Sequence, residues 1–203
     1  MLTLFHAPWS RSSRLVWLLE EIGQPYEIVY CAISRIDGTG ARDPRNPHPD
    51  GKVPALLHDD ALVTESAAIA LYLTDLFPKS GLGAAVGSPE RGLWLTWLAW
   101  TTGELEPAFW ARISGAAASD PQARARFDCV LARLFEALER GPYLMGQRFT
   151  AVDVMVGSAV AWAREFLPAS PTLDAWLERI MERPANALAA AKDGPPPALA
   201  QVA

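Results

Sequence analysis

Two short motifs constrain most strongly what this chain can fold into and bind. The first, residues 51–57, opens an apolar strand with Pro54, and a residue without an N–H belongs at the start or on the edge of a strand. The second, residues 63–69, places Glu65 and Ser66 at the start of a helix, where unpaired N–H groups and the helix dipole favour a carboxylate. Together the motifs predict a site for a small extended peptide with an anionic end.

Composition limits the classes of protein that fit. The chain has 203 residues, a net charge of −5 and a pI near 5.2, with 50% hydrophobic and 20% charged residues. These values are ordinary for a globular protein, and the lack of a basic stripe argues against nucleic acid as a partner. Because we find no signal peptide and no run of about 20 apolar residues, we expect a cytoplasmic protein without a membrane partner.

The cysteines and histidines give no sign of a metal site. Cys31 and Cys129 lie far apart in the sequence, and we expect both to be buried free thiols. The chain has three histidines, and none has the paired spacing of a zinc site. We therefore expect no metal.

The first part of the chain has the pattern of an α/β domain. Apolar periodicity switches between the strand and helix periods, and Gly23 is placed to end the first helix. The expected elements, in order, are a strand at 2–5, a helix over 10–22, a strand at 26–30, a loop-rich stretch over 34–50, a hairpin of strands at 54–57 and 61–63, and a helix over 65–76. This order fits a thioredoxin-like sheet.

The rest of the chain is predicted to be entirely helical. A Gly-, Ser- and Pro-rich linker at 78–88 separates an α/β domain at 1–77 from a helical domain at 89–203. The expected helices span 91–113, 120–139, 150–166, 172–182 and 185–192, followed by a loose tail at 194–203. Thr150 and Asp153 form a predicted capping box at the start of the third of these helices, which typically contributes about 1 kcal/mol to stability.

Four pieces of the sequence carry a family resemblance. They are SRSSR at 10–14, the segment 46–56 that begins with NP and ends with GKVPAL, ESAAI at 65–69 and TAVD at 150–153. In this order and at these separations they resemble the soluble glutathione transferases, most closely serine-type bacterial-like members. The resemblance implies a thioredoxin-like domain followed by a helical domain, with glutathione as co-substrate and no metal.

The resemblance also implies which residues bind glutathione. Val53 would pair its backbone with the cysteinyl part, and Pro54 would be in the cis form. Glu65 and Ser66 would hold the γ-glutamyl end, while Lys52 would lie near the glycine carboxylate. The structural alternatives are strand geometry for Val53 and Pro54, a helix cap for Ser66, and a first-turn carboxylate that complements the dipole for Glu65.

A serine is expected to activate the thiol. A free thiol has a pKa of about 8.5, and a hydroxyl donor beside the sulfur would favour the thiolate. Relatives use Tyr, Ser or Cys there, and no Tyr or Cys lies between Met1 and Tyr26. Ser10 matches best, Ser12 is the second choice and Ser13 the third, with a plain helix cap as the alternative for Ser10. Arg11 would serve the ligand or solvate a helix face.

The resemblance places an electrophile site beside the loop after the first strand. The residues that would line it are Pro8, Trp9, Trp100, Trp110 and Ile113. Aromatic walls suit a flat apolar ligand. Tryptophans at helical spacing are more often core residues than pocket residues, and we expect Trp94 and Trp97 to lie in the core or at an interface.

The chain departs from the family pattern at one loop. Residues 48–50 stand where the family has a single residue between Asn-Pro and Gly. This insertion argues against ligand contacts by Arg42, Arg45 and His48, which we expect to be solvated loop residues.

The function implied is a glutathione transferase that adds glutathione to an apolar alkyl or aryl electrophile, in a homodimer with a detoxifying role. Two alternatives remain: another glutathione-dependent reaction, such as an isomerase, peroxidase or dehalogenase reaction, and a non-catalytic binding or assembly module with the same fold. Glutathione binding without conjugation would favour the first alternative, and absence of binding the second.

Overall fold

The computed structural model describes residues 1–36 and 38–194, so the predicted tail lies outside the described residues apart from Gly194. The chain forms two compact units. One contains residues 1–77 together with the stretch that begins at Pro184, and the other contains residues 78–183.

The helices of the described residues are α1 (Ser13–Ile22), α2 (Ser66–Leu76), α3 (Glu90–Trp100), α4 (Glu106–Ile113), α5 (Ala116–Ser119), α6 (Pro121–Glu139), α7 (Ala151–Ala163), α8 (Pro171–Met181) and α9 (Pro184–Asp193). The strands are β1 (Leu2–His6), β2 (Glu27–Tyr30), β3 (Ala55–His58) and β4 (Ala61–Thr64).

The strands form one sheet in the first unit, in the order β2-β1-β3-β4. β1 runs parallel to β2 and antiparallel to β3, and β3 and β4 form the hairpin. The central strands β1 and β3 hold fully buried residues such as Leu4 and Leu56. The predicted thioredoxin-like sheet is therefore confirmed, and the strands differ from their predicted bounds only at their ends.

The first helix begins at Ser13, later than the predicted start at Ser10. Residues 7–12 form a turn instead, because the Ser10 hydroxyl donates to the carbonyl of Ala7 and the N–H of Ser13 donates to the carbonyl of Ser10. The predicted end is confirmed: Gly23 has φ 70° and its N–H donates to the carbonyl of Leu19. Glycine takes this left-handed conformation without the cost that a side chain would add.

The last helix, α9, packs against α1 within the first unit. The sequence prediction instead assigned residues 184–192 to the helical domain that ends the chain. Lys192 contributes to this packing, since its ammonium lies 2.6 Å from Glu20 Oε1 and 4.8 Å from the centre of the Tyr26 ring. Such long-range packing leaves no signal in local sequence periodicity.

The predicted helix over 91–113 is interrupted. Residues Thr101–Leu105 form a π-helical turn, in which the N–H of Glu106 donates to the carbonyl of Thr101. Pro107 has no N–H to offer the carbonyl of Gly103, and Arg126 donates to that carbonyl at 2.9 Å instead. The proline therefore accounts for the local change in helical pitch.

The predicted linker is held within the second unit. Pro78–Ser80 form a single 3₁₀ turn. The N–H of Ala151 donates to the carbonyl of Leu82 at 2.9 Å, and Arg148 donates to the carbonyl of Gly81 at 2.9 Å. These bonds tie the stretch to the start of α7.

The capping box at the start of α7 is confirmed, and it extends further than the sequence indicates. The fully buried carboxylate of Asp153 accepts the N–H of Thr150 at 2.9 Å and of Leu144 at 3.0 Å, and the indole N–H of Trp176 at 3.2 Å. Burial raises the pKa of Asp153, although these hydrogen bonds act in the opposite direction. One side chain thus connects the helix start, the preceding loop and α8.

The two cysteines differ in exposure. Cys31 is buried, and burial raises the pKa of its thiol. Cys129 is exposed, so the prediction of a buried thiol is wrong there. It lies on the outer side of α6, whereas Val130 and Leu131 face the core.

No helix among the described residues has the length and apolar character needed to cross a membrane.

Candidate active site

The register of the sheet brings three loops to one of its ends. Phe5 near the end of β1 pairs with Ala55 at the start of β3, and Ala55 in turn pairs with Thr64 at the end of β4. The turn after β1, the residues before β3 and the residues after β4 therefore share this end of the sheet. The predicted thiol-activating and peptide-binding residues all lie on these three loops.

Ser10 is a partly buried residue on the turn after β1. Its Oγ lies 2.7 Å from the carbonyl oxygen of Ala7 and 2.7 Å from Ser12 Oγ. It also accepts the N–H of Ser12 at 3.1 Å. The hydroxyl is thus held in place while part of the residue remains open to a ligand.

Ser12 is fully buried. Its Oγ accepts the N–H of Ala7 at 3.1 Å and lies 2.8 Å from His6 Nδ1. Ser13 is also engaged, because its Oγ accepts the N–H of Ser10 at 3.3 Å. Ser12 is buried, whereas Ser10 and Ser13 are both partly buried, so the choice of Ser10 for contact with the thiol stays a prediction.

A histidine and an aspartate complete this cluster. His6 is fully buried, and its Nε2 lies 3.2 Å from Asp193 Oδ1 at the end of α9. Both atoms are buried, and in the described residues neither has a partner with hydrogen-bond geometry, so the two face each other as a close polar pair. Asp193 Oδ2 accepts the N–H of Trp9 at 3.1 Å. Burial raises the pKa of Asp193, but its interactions with His6, Ser13 and the Trp9 N–H outweigh burial and hold that pKa below its usual value.

Val53 offers free backbone groups beside this cluster. The Val53-Pro54 peptide bond is cis, in agreement with the resemblance. Within the described residues, neither the N–H nor the carbonyl of Val53 has a hydrogen-bond partner, and the residue is only partly buried. The preceding carbonyl, of Lys52, accepts the side-chain amide of Asn46 at 2.9 Å, which supports the loop. An extended peptide could therefore pair with Val53 as an additional strand does.

The start of α2 offers a second set of free donors. Ser66 is the first residue of the helix and is buried, yet its hydroxyl has no hydrogen-bond partner in the part of the chain that the structure describes. Glu65 precedes it with φ 69° and ψ 125°, a left-handed conformation that glutamate rarely adopts. Such strain is found where a ligand site requires a particular backbone path. The helix start and the Ser66 hydroxyl together suit an anionic group.

The cations near the site lie at the surface. Lys52 is exposed, with its ammonium 3.5 Å from the Asp50 carboxylate. Arg11 is also exposed, on the turn before α1. Their exposure leaves the roles implied by the resemblance as predictions.

The inserted loop differs from the expectation of solvated residues. His48 is buried, and its Nδ1 accepts the N–H of Asp50 at 3.0 Å. Arg42 donates to the carbonyl of His48 at 3.3 Å, and the exposed Arg45 pairs with Asp43 at 2.7 Å. These bonds fold the insertion onto itself, so the prediction was wrong for His48.

The residues predicted to bind an electrophile belong to both units. In the first unit, Pro8 is partly buried and Trp9 is 60% exposed, with φ 56° and its indole N–H bonded to the carbonyl of Gly194. In the second unit, Trp110 is 45% exposed and stacks on Trp162 with ring centres 6.4 Å apart. Ile113 is partly buried at the end of α4.

Trp100 is a core residue of the second unit. It is buried, packs edge-on against Trp97 at 5.0 Å and lies under the guanidinium of Arg133 at 4.7 Å. These contacts argue against a role as a pocket wall. Trp94 and Trp97 are also buried, as the sequence indicated.

Sequence reasoning missed His6, Asp193 and Arg35 at this site. Arg35 donates to the carbonyl of Pro8 at 2.8 Å and so supports the turn. His6 is adjacent to the serine-rich turn, and its place at the end of an apolar strand was an available signal. Asp193 had none, because only the packing of α9 brings it near β1. Among the described residues no group of His, Cys, Asp and Glu has the arrangement of a metal site.

Comparison with known families decides the family of the chain. A family model of the glutathione S-transferase N-terminal domain matches residues 4–81, and one of the C-terminal domain matches residues 101–184. The chain belongs to the glutathione S-transferase family. It is 31% identical over 187 residues to glutathione S-transferase GstA of Escherichia coli O157:H7, with 89% of this chain and 93% of GstA covered.

Solved structures of glutathione transferases agree with this assignment. A glutathione transferase of Methylococcus capsulatus is 30% identical to this chain and superposes on it with a TM-score of 0.78. The alignment covers 96% of this chain and 99% of the Methylococcus protein. A sphingomonad glutathione S-transferase complexed with glutathione is 29% identical and superposes with a TM-score of 0.79. The alignment covers 95% of this chain and 98% of the sphingomonad protein. The sequence-based recognition of a glutathione transferase is thereby confirmed.

Proposed function

We propose that this glutathione transferase binds glutathione at the end of its sheet, ionises the thiol beside Ser10 and adds it to an apolar electrophile. The observation that carries the proposal is the shared location of three features: the hydroxyl of the partly buried Ser10, and the Val53 backbone and the Ser66 hydroxyl at the start of α2, both without a partner among the described residues. They match, in order, a thiol, a peptide bond and a carboxylate.

The activating step rests on Ser10. A hydroxyl that donates to the sulfur stabilises the thiolate more than the neutral thiol and lowers the thiol pKa. The turn also lies at the N-terminal side of α1, whose dipole favours a negative charge. Two effects therefore favour the reactive form of glutathione at neutral pH.

The other parts of glutathione are proposed to bind residues at the same end of the sheet. Val53 would pair with the cysteinyl backbone, and Ser66 with Glu65 would hold the γ-glutamyl group. Lys52 would attract the glycine carboxylate, and Arg11 would add positive potential near the sulfur. Because Lys52 and Arg11 are both exposed, they would attract the negative charges of glutathione without holding it in a fixed position.

The electrophile is proposed to be apolar because exposed aromatic surface is present in both units. Trp9 and Trp110 contribute to it, with Pro8 and Ile113 as smaller apolar neighbours in their respective units. Trp100 is left out because it is buried. A homodimer, a cytoplasmic location and a role in detoxification stay predictions.

Ser66→Ala should weaken glutathione binding. The substitution removes one hydroxyl that would bond to a charged group, so we expect the Kd to rise roughly tenfold, equivalent to about 1.4 kcal/mol. Calorimetric titration with reduced glutathione measures it. Ser34→Ala, at an exposed serine of the same unit, is the matched control and should leave the Kd unchanged. Equal affinity in wild type and Ser66→Ala would remove Ser66 from the site, and absence of binding by wild type at millimolar glutathione would overturn the proposed function.

A further inference from the structure

Four side chains form a continuous polar chain from α9 to the turn after β1. Asp193 Oδ1 lies 3.2 Å from His6 Nε2, His6 Nδ1 lies 2.8 Å from Ser12 Oγ, and Ser12 Oγ lies 2.7 Å from Ser10 Oγ. His6 and Ser12 are fully buried, whereas Ser10 and Asp193, at the two ends of the chain, are partly buried. A buried polar chain of this kind needs a reason, because polar groups are costly to bury.

The proton positions in this chain follow from the charge of Asp193. An ionised carboxylate facing His6 Nε2 places the ring proton on that nitrogen, because two lone pairs would repel. His6 Nδ1 is then an acceptor in the neutral ring, and the Ser12 hydroxyl is its donor at 2.8 Å. The carboxylate therefore fixes the tautomer of the histidine.

The two serine hydroxyls can then continue the chain. With its proton given to His6, Ser12 Oγ accepts the N–H of Ala7 and retains one lone pair for the hydroxyl of Ser10. The Ser10 hydroxyl has two acceptors at equal distance, Ser12 Oγ and the carbonyl of Ala7, both at 2.7 Å. A small rotation of one hydroxyl therefore joins the accessible surface to His6.

We propose that His6 takes up the thiol proton of glutathione through Ser10 and Ser12, with Asp193 holding the histidine in the required tautomer. This inference rests on the proposed function, in which Ser10 meets the sulfur. It assigns a destination to the proton that thiolate formation must release. His6, Ser12 and Asp193 touch no substrate in this scheme and act only through Ser10.

The step balances in protons and electrons. The S–H bond breaks and sulfur keeps the electron pair, while its proton goes to Ser10 Oγ. The hydroxyl proton of Ser10 moves to Ser12 Oγ, and that of Ser12 moves to His6 Nδ1. The products are a thiolate and an imidazolium paired with the Asp193 carboxylate. All hydroxyl donors then point outward, so the Ser10 O–H donates to the thiolate.

The groups that face His6 in the described residues are one carboxylate and several neutral groups. The Tyr30 ring of β2 packs edge-on against the imidazole with centres 5.5 Å apart, and the Tyr30 hydroxyl donates to the carbonyl of Lys192. From α9 the charged group that faces the ring is Asp193, and from the turn after β1 the facing groups are the serine hydroxyls. Arg35 is held on the Pro8 carbonyl at 2.8 Å. Since His6 has no accessible surface and its Nε2 faces Asp193, a proton that comes from the turn reaches the ring at Nδ1, through the serines.

The test counts protons rather than turnover. Glutathione is titrated calorimetrically in buffers of different ionisation enthalpy, at a pH between about 6.5 and about 8.5, the ordinary values for imidazole and thiol. Thiolate is followed in parallel by its ultraviolet absorbance. We expect wild type to form thiolate with almost no proton release, and His6→Gln to release about one proton for each thiolate formed. His58→Gln, at a partly buried histidine of β3, is the matched control and should behave as wild type.

Two further variants break the same chain without removing the ring. Ser12→Ala interrupts it, and Asp193→Asn favours the wrong tautomer, because the amide N–H donates to Nε2 and forces the proton onto Nδ1. Both should release protons as His6→Gln does and lower kcat/KM roughly a hundredfold, within the usual range for general acid–base catalysis. Asp60→Asn, at an exposed turn, is the control for Asp193→Asn.

The possible results distinguish failure of the proton relay from failure of the proposed function. Equal proton release in wild type and in folded Ser12→Ala or Asp193→Asn would overturn the relay while leaving Ser10 as the thiol donor. Absence of any thiolate absorbance in wild type would overturn the proposed function itself. Circular dichroism and thermal melting establish which variants are folded before these comparisons are made.

Discussion

Ser10→Ala should lower kcat/KM for glutathione conjugation to an activated aryl halide by roughly a hundredfold to ten-thousandfold. The variant loses the only hydroxyl of the turn that combines accessibility with a fixed position, so the bound thiol stays protonated at neutral pH. This range is that of a positioned proton donor or acceptor. Because Val53 and Ser66 are untouched, we expect the Kd for glutathione to change little, and the loss to fall on kcat.

Two comparisons make this prediction specific. Ser158→Ala, at a partly buried serine of α7, removes a hydroxyl that donates only to the carbonyl of Met155 and should leave kcat/KM unchanged. Ser10→Ala activity should recover in part as the pH is raised toward the ordinary thiol pKa of about 8.5, where solution chemistry supplies thiolate. A difference of about threefold is close to the resolution of such kinetics. Activity of Ser10→Ala within about threefold of wild type would therefore exclude Ser10 as the activator.

Asp153→Ala should have the largest effect on stability, about 3 kcal/mol. The variant removes the acceptor of four buried donors: the N–H groups of Leu144 and Thr150, the Thr150 hydroxyl and the indole N–H of Trp176. Each unsatisfied donor costs about 1 to 3 kcal/mol, partly offset because the carboxylate itself is costly to bury. In thermal melting this corresponds to a decrease in Tm of roughly 10 °C.

The matched control is Asp128→Ala on the exposed side of α6, which should change stability by less than about 0.5 kcal/mol. Asp153→Asn should lie between the two, since it keeps one acceptor oxygen and loses the other. A melting temperature for Asp153→Ala equal to that of Asp128→Ala would show that the carboxylate does not hold α7, the preceding loop and α8 together.

Local features of the site were predictable from the sequence because their physical causes are local. The strand start beside Pro54 and the helix start at Ser66 follow from the missing N–H of proline and the unpaired donors of a helix end. The capping box at Thr150 and Asp153 likewise depends on residues three positions apart. The order of strands and helices along the α/β part of the chain was predictable for the same reason, because their apolar periods are local.

The missed features depend on contacts between residues far apart in the chain. Asp193 comes next to His6 only because α9 packs on α1, and no periodicity of either helix indicates that partner. The second bonding role of Asp153, toward Trp176, is also a product of packing. The exposure of Cys129 shows the reverse case, in which a residue type that is usually buried lies on the outer side of its helix.

The most direct test of the central claim is the pKa of the glutathione thiol bound to the wild-type protein. It is read from the ultraviolet absorbance of the thiolate over a pH series, with glutathione saturating and the Ser10→Ala variant measured alongside. The account predicts a bound-thiol pKa well below about 8.5 in wild type and a return toward that value in Ser10→Ala. A wild-type value at or above that of the free thiol would contradict thiol activation by this site.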